Sequence, residues 1–176
     1  MKAPLALIDN LENLPNPFTQ FEPYALTCST LTPLLQQTDF KRDFQLALCF
    51  IYSYNGSKAT FNSYRREVER LLLWSWNIKS SPTSHLRRDE IEEFIHFCMS
   101  PPSEWIGIKN VSRFSNKLGS RLQNKEWRPF VSHVSKMNFR NGDAPNTKDY
   151  SLSQAAIRAT FSILSSYYGF LMQEDA

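Results

Sequence analysis

Glycine and cysteine are both scarce in this chain of 176 residues, which has 5 glycines and 3 cysteines. The scattered glycines form no glycine-rich loop that could cradle the phosphates of a nucleotide. Cys28, Cys49 and Cys98 lack the spacing of a zinc site or of a disulfide framework, and isolated cysteines are typical of reduced, cytosolic proteins. We therefore expect a cytoplasmic protein that uses no metal or other cofactor.

Long apolar runs are absent as well. No stretch approaches the roughly eighteen uninterrupted apolar residues that a membrane span requires. The N-terminal sequence MKAPLALIDNLENLP has too short an apolar run and too many acids for a signal peptide. The hydrophobic content of 41% is nevertheless enough to build a core. We expect one soluble domain with or without appendages, and no membrane partner.

Strand-like alternation is almost missing, and only residues 129–135 are predicted to hold a short extended piece. Apolar residues recur at helical spacing in four segments, which are predicted as helices: 39–54, 57–77, 88–99 and 151–173. Thr38 and Ser57 are suitable N-caps for the first two. Residues 1–36 contain five prolines and no sustained period. They are predicted as an extended arm, with a helical turn near 7–14 as the one alternative, before a helical domain at 37–176. The predicted fold is all-α, a small bundle of about four helices with a long basic loop before the last one.

The basic residues are distributed unevenly along the chain. The overall net charge is only +3. The segment from Lys109 to Arg140, however, contains eight basic residues against the single acid Glu126, so the rest of the chain carries a net negative charge. Such asymmetry indicates an anionic partner more reliably than the overall charge does.

The second predicted helix has a polar face opposite its apolar stripe. Four of its residues are candidate DNA contacts: Lys58, Asn62, Arg65 and Arg66. Lysine and arginine can reach phosphates, while Asn62 and Arg65 could read base edges in a major groove. The alternative is that Arg66 and Arg70 form ordinary surface salt bridges with the neighbouring glutamates, which would be worth little.

The last predicted helix and the basic segment supply the other candidates. Gln154, Arg158 and Ser162 lie on a face of small residues that could approach a phosphate backbone, and the helix N-terminus favours anions. The alternative is that this face packs closely against another helix. Basic residues recur every four positions from 109 to 125, where Gly119 allows at most a broken helix and a solvated loop is the other possibility. Lys117, Arg121 and Lys125 are expected to neutralise phosphates there.

Catalytic chemistry is poorly supported. Glu90, Glu92 and Glu93 stand in the first turns of a predicted helix, where acids complement the helix dipole. His96 and Cys98 are too few to bind zinc. No catalytic residue is therefore assigned.

Four sequence segments in this order resemble the N-terminal part of tyrosine recombinases, the phage-type integrases: YNGSKATFNSYRREVERLLLWSW, LRRDEIEEFIHFCMSPP, EWRPF and SLSQAAIRATFSILSSYYGFLMQEDA. The resemblance covers about residues 38 to 176 and implies the helical, SAM-like core-binding domain, a small orthogonal bundle. By resemblance, this domain forms half of a C-shaped clamp on recombination-site duplex DNA, with its second and fourth helices facing the duplex.

The resemblance also implies what this chain does not do alone. Such proteins continue into a catalytic domain where this sequence stops at Ala176, so we expect a non-enzymatic part of a longer recombinase that acts with other protomers and without a cofactor. His85 to Arg88 fits the family's H-x-x-R pattern, but no other catalytic residue is in order around it, so we treat the match as coincidence. The alternative function is a helical interaction module whose basic segment docks an acidic protein partner.

Overall fold

The computed structural model describes residues 1–28 and 32–175. They fold into a mainly helical structure with two small two-stranded sheets. The helices are α1 Pro17–Thr27, α2 Thr32–Leu35, α3 Thr38–Tyr52, α4 Lys58–Trp74, α5 Arg88–Met99, α6 Lys136–Arg140 and α7 Gln154–Glu174. The strands are β1 Ile106–Gly107, β2 Phe114–Lys117, β3 Ser120–Gln123 and β4 Phe130–Val131.

The four helices predicted from apolar spacing are confirmed as α3, α4, α5 and α7. Ser57 caps α4 by accepting a hydrogen bond from the amide of Thr60, and Ser153 caps α7 in the same way through the amide of Ala156. Helix α4 passes into one π-helical turn, Ser75–Lys79, which ends at Ser80 in a left-handed conformation. Ser57 and Ser153 thus set where α4 and α7 begin. The prediction of Thr38 as an N-cap is wrong, because Thr38 is the first residue of α3 and the N-cap, Gln37, makes no side-chain hydrogen bond.

Helices α3, α4 and α7 pack together around the core. Phe44 of α3, Phe61 and Leu71 of α4 and Tyr167 of α7 are completely buried. Burying one such side chain stabilises the fold by about 1.5–3 kcal/mol relative to leaving it exposed. Helix α5 joins this core through Phe94, which is also fully buried.

The carboxylate of Asp43 is buried within this core. Both oxygens of Asp43 accept hydrogen bonds, from Trp76 Nε1 and from the backbone and hydroxyl of Thr83. The Thr83 hydroxyl also contacts the hydroxyl of Tyr167 at 3.0 Å. Burial raises the pKa of Asp43 even though these hydrogen bonds favour its charged form.

The prediction of an extended arm over residues 1–36 is wrong for α1 and α2. Asn16 accepts a hydrogen bond from the amide of Phe18, and Pro17 stands at the first helical position, where a proline starts a helix instead of preventing it. Residues 6–8 precede α1, form neither helix nor strand, and belong to the core, with exposures of 0–1%. The described part of the arm therefore shares one hydrophobic core with the rest of the chain.

The prediction of a helical fold is confirmed for most of the described chain, but the predicted basic loop contains two small sheets, so the fold is not strictly all-α. Strands β2 and β3 form an antiparallel hairpin, and its turn places Leu118 and Gly119 at positive φ. The broken helix considered for residues 109–125 is therefore not formed. The extended piece predicted near 129–135 is confirmed as β4, which pairs in parallel with β1.

Among the described residues, no helix is long and apolar enough to cross a membrane.

Candidate nucleic-acid interface

A groove of about 690 Å³ lies where α4, the segment 110–133 and the start of α7 meet. We call it the arginine groove because five arginines and one glutamate line it: Arg65, Arg66, Arg70, Arg113, Arg128 and Glu67. His133, Tyr150, Leu152 and Ala156 are further lining residues. The three sequence regions that were singled out separately for basic or anion-binding character thus contribute to one surface.

Arg70 is fixed in the wall of the groove. Its Nε donates to the carbonyl of Pro129 at 2.9 Å, and its guanidinium carbon lies 4.4 Å from the centre of the Phe130 ring. Its Nη1 lies 3.3 Å from Glu67 Oε1. With only 11% of its side chain exposed, Arg70 acts mainly by joining α4 to β4.

Arg113, which precedes β2, also has a structural role in the groove lining. Its guanidinium carbon lies 4.8 Å above the Trp127 ring, and it forms an ion pair with Glu69. Glu69 also accepts hydrogen bonds from the amides of Leu7 and Ile8, at 2.7 and 2.9 Å. Because charge-assisted hydrogen bonds are stronger than neutral ones, this cluster holds the N-terminal segment, α4 and the segment before β2 together.

Arg65 was predicted to read base edges, and the structure shows that this prediction is wrong. The residue is 7% exposed, and its Nη1 donates to the carbonyl of Asp9 at 2.8 Å and to Asn10 Oδ1 at 3.1 Å. Burial, helped by the nearby charge of Arg113, lowers the pKa of Arg65 to about 10. The guanidinium therefore stays charged at neutral pH but is held inside the protein.

Glu67 connects the groove to α7. It is 3% exposed and accepts hydrogen bonds from Arg66 Nε at 2.7 Å and from Thr160 Oγ1 at 3.0 Å. Arg66 and Arg70 do pair with a glutamate, but this glutamate is buried, so the pairs are not the ordinary surface salt bridges that the sequence suggested.

Of the five arginines that line the groove, Arg66 and Arg128 are the most accessible to a ligand. Half of the Arg66 side chain is exposed (49%). Arg128 is partly exposed, and its Nη1 donates to the carbonyls of Lys125 and Trp127 at 2.9 and 2.7 Å. Because carbonyl acceptors are neutral, these bonds position the Arg128 guanidinium without cancelling its charge.

Lys58 and Arg121, both predicted DNA contacts, are paired with acids of the N-terminal segment. Lys58 forms an exposed ion pair with Glu12, which lowers the pKa of Glu12. Arg121 binds both carboxylate oxygens of the buried Asp9, at 2.7 and 2.8 Å, which raises the pKa of Arg121. Arg121 is thus a structural residue, and only Lys58 is accessible enough to exchange partners.

The predicted residues of α7 are exposed but do not face the arginine groove. Gln154, Arg158 and Ser162 are all solvent-accessible. Since each residue of an α-helix advances the direction by about 100°, Arg158 points roughly 200° away from the groove-lining Ala156. The close helix packing considered for this face does not occur among the described residues, and the face stays open.

The remaining predicted contacts lie on or beside the hairpin. Lys117 and Lys125 are exposed, and Asn62 is half-buried on α4. Sequence reasoning missed Arg128, His133 and Tyr150 as groove residues. The run of basic residues was a signal for Arg128, but its position depends on the β1–β4 pairing, which two-residue strands do not reveal in sequence.

Comparisons with known proteins do not identify the chain, since no family model, no curated protein and no solved structure matches it.

Proposed function

We propose that this chain is a duplex-DNA-binding helical module, equivalent to the SAM-like core-binding domain of a tyrosine recombinase. The observation that carries the proposal is the convergence of α4, the basic segment and the start of α7 on the arginine groove, with five arginines against one glutamate. Concentrated positive charge of this kind attracts a polyanion and speeds its association.

The accessible cations define the proposed contact surface. Arg66 and Arg128 lie in the groove, and Lys117 and Lys125 are exposed on and beside the neighbouring hairpin. Arginine and lysine at such positions bind phosphate oxygens and fix the register of a protein on the duplex. In this proposal Arg158 on the outer face of α7 provides a second, separate contact.

The resemblance supplies the biological setting of the proposal. The module would hold recombination-site DNA while a catalytic domain cuts and rejoins the strands, together with other protomers. This chain contributes binding and no catalytic residue.

Titration of a fluorescent duplex at about 50 and about 200 mM salt tests the proposal. Five phosphate contacts, one for each of the five cations proposed above, would give a log–log salt slope near −4.5, so the affinity should fall roughly 500-fold over this range. Arg158→Ala should reduce the slope by about 0.9, as one lost phosphate contact requires. Arg88→Ala is the matched control, because Arg88 is 94% exposed on α5 and does not line the groove. Absence of binding at the lower salt concentration would refute the proposal.

One observation favours a second candidate, a protein-docking module. Met137 and Phe139 on α6 are 71% and 68% exposed and are flanked by Lys136 and Arg140. Beside them is a pocket of about 310 Å³ lined in part by Ile108, Val134 and Pro145. Phe139→Ser should abolish the recovery of an acidic protein partner from nuclease-treated extract while leaving DNA affinity unchanged. Recovery that is unaffected by Phe139→Ser would exclude this surface.

A further inference from the structure

We infer that the arginine groove contains a preformed binding site for one phosphate group. The phosphate would be bound between Arg66, Arg128 and the first turn of α7. The inference rests on the proposed function for the source of the phosphate, which would be a backbone phosphodiester of bound DNA. The same chemistry would accept a free phosphate compound, and the experiment below separates the two.

The charges around the groove leave an excess that is not cancelled. Of the five lining arginines, Arg66 and Arg70 share the single carboxylate of Glu67, and Arg113 is paired with Glu69. Two carboxylates thus oppose five guanidinium groups, which leaves three positive charges in excess. An anion bound in the groove would balance part of this charge in a partly buried setting, where water screens it less.

Two buried polar atoms of the lining residues have no hydrogen-bond partner. They are Nε of Arg65, in a residue that is more than nine-tenths buried, and the hydroxyl of Tyr150. Buried polar groups are nearly always paired in folded proteins. Both atoms can donate a hydrogen bond, and both belong to residues that line the same groove, so together they indicate an acceptor-rich ligand such as a phosphate.

The start of α7 adds backbone donors. Ser153 caps the helix by bonding the amide of Ala156, while the amides of Gln154 and Ala155 stand in the first turn, where an α-helix offers no internal acceptor. Leu152 and Ala156, on either side of these amides, line the groove. The positive end of a 21-residue helix therefore lies at the arginine cluster.

The chemistry of the groove favours a phosphate over a nucleobase. Guanidinium groups match the oxygens of phosphate in geometry as well as in charge. Base stacking would need an open aromatic face. Trp127 is only 7% exposed and is covered by Arg113, and Tyr150 is partly buried, which leaves His133 as the exposed ring of the described lining. The groove is thus suited to a sugar–phosphate backbone passing through it.

Side-chain NMR of arginine Nε–Hε groups tests the site. Inorganic pyrophosphate and a duplex DNA are titrated separately into the wild-type chain, and the Arg65, Arg66 and Arg128 signals should shift in a saturable way. Arg66→Ala and Arg128→Ala should each weaken pyrophosphate binding by about tenfold or more, the loss expected for a charge-assisted hydrogen bond. Arg88→Ala should have no effect, and thermal unfolding of all three variants establishes that they are folded.

The outcomes separate this inference from the proposed function. If DNA binds with a steep salt dependence but Arg66→Ala and Arg128→Ala bind it like the wild type, the phosphate site is refuted, while duplex binding itself stands on contacts outside the groove. If pyrophosphate saturates the three arginine signals and DNA does not bind, the site is supported as one for a free phosphate compound and the proposed function fails. If neither probe shifts these signals, the inference is overturned.

Discussion

The hydroxyl of Thr160 donates a hydrogen bond of 3.0 Å to Glu67 Oε2 across the contact between α7 and α4. Within the described part of the chain, Glu67 is the one acid that lines the arginine groove, and its other partners include Arg66 and Arg70. A side chain of α7 therefore helps to position the carboxylate that organises the groove arginines of α4.

Thr160→Val should lower the free energy of unfolding by about 1.5–3 kcal/mol, because it removes a hydrogen bond to a buried charged group while nearly preserving shape. Thr160→Ser is the control, since it keeps the hydroxyl and loses only a methyl group. Urea unfolding measures both variants. A Thr160→Val protein as stable as Thr160→Ser would show that the bond to Glu67 contributes little.

Arg121→Ala should destabilise the fold by about 3 kcal/mol, because it leaves the buried carboxylate of Asp9 without its cation. Lys117→Ala and Lys125→Ala should change stability by less than about 0.5 kcal/mol, as expected for exposed residues. Chemical unfolding separates a structural arginine from two surface lysines in the same basic segment. Equal effects of the three substitutions would contradict the structural role of Arg121.

Asp43→Asn should become more stable relative to the wild type as the pH rises. The folded-state pKa of Asp43 lies above its ordinary value of about 3.9. Between the unfolded and the folded pKa the native state therefore holds more protons, so the wild type loses stability as the pH increases through this window. Asparagine is neutral and does not titrate, so the stability of Asp43→Asn does not fall through this titration.

Unfolding of both proteins in parallel from pH 4 to pH 7 measures this difference and cancels the contribution of the other carboxylates. Asp43→Ala serves as the comparison that removes all three hydrogen bonds to Trp76 and Thr83. A stability difference between Asp43→Asn and the wild type that falls with increasing pH would contradict the raised pKa.

Gly119→Ala should cost about 1 kcal/mol of stability, because Gly119 adopts φ +78 at the tip of the β2–β3 hairpin, where a side chain is strained. A methyl group there would meet no neighbouring atom within 4 Å, so the cost would come from the backbone alone. Gly119→Asn should be better tolerated, since asparagine adopts this conformation more readily. Thermal unfolding compares the two, and equal stabilities would argue against a strained turn.

The long helices could be predicted because their signals are local. Ser57 and the apolar spacing after it define α4, and Arg88 to Met99 was predicted without error at either end. The hairpin could not be foreseen, because basic residues four positions apart suggested a helix and Leu118-Gly119 is not among the usual turn pairs.

The candidate site was predictable in its regions and not in its contacts. Sequence indicated that α4, the basic segment and α7 would be basic or anion-binding surfaces, and residues of all three line the groove. The sequence did not reveal that Arg65 and Arg121 would form hydrogen bonds with Asp9 and its neighbours. These partners lie 56 and 112 positions away along the chain and leave no local sequence pattern. Long-range ion pairs decide which cations remain free, and they depend on the complete fold.

The N-terminal segment has a consequence for how the chain folds. Ala6 and Asp9 bond to Gln123 and Arg121, more than one hundred positions later. Contacts between residues so far apart in the sequence form slowly, because the long intervening loop must first be closed. Residues 6–9 are synthesised before the hairpin, so their hydrogen bonds to it form only after the hairpin has been made, and we expect docking of this segment to be a late step of folding.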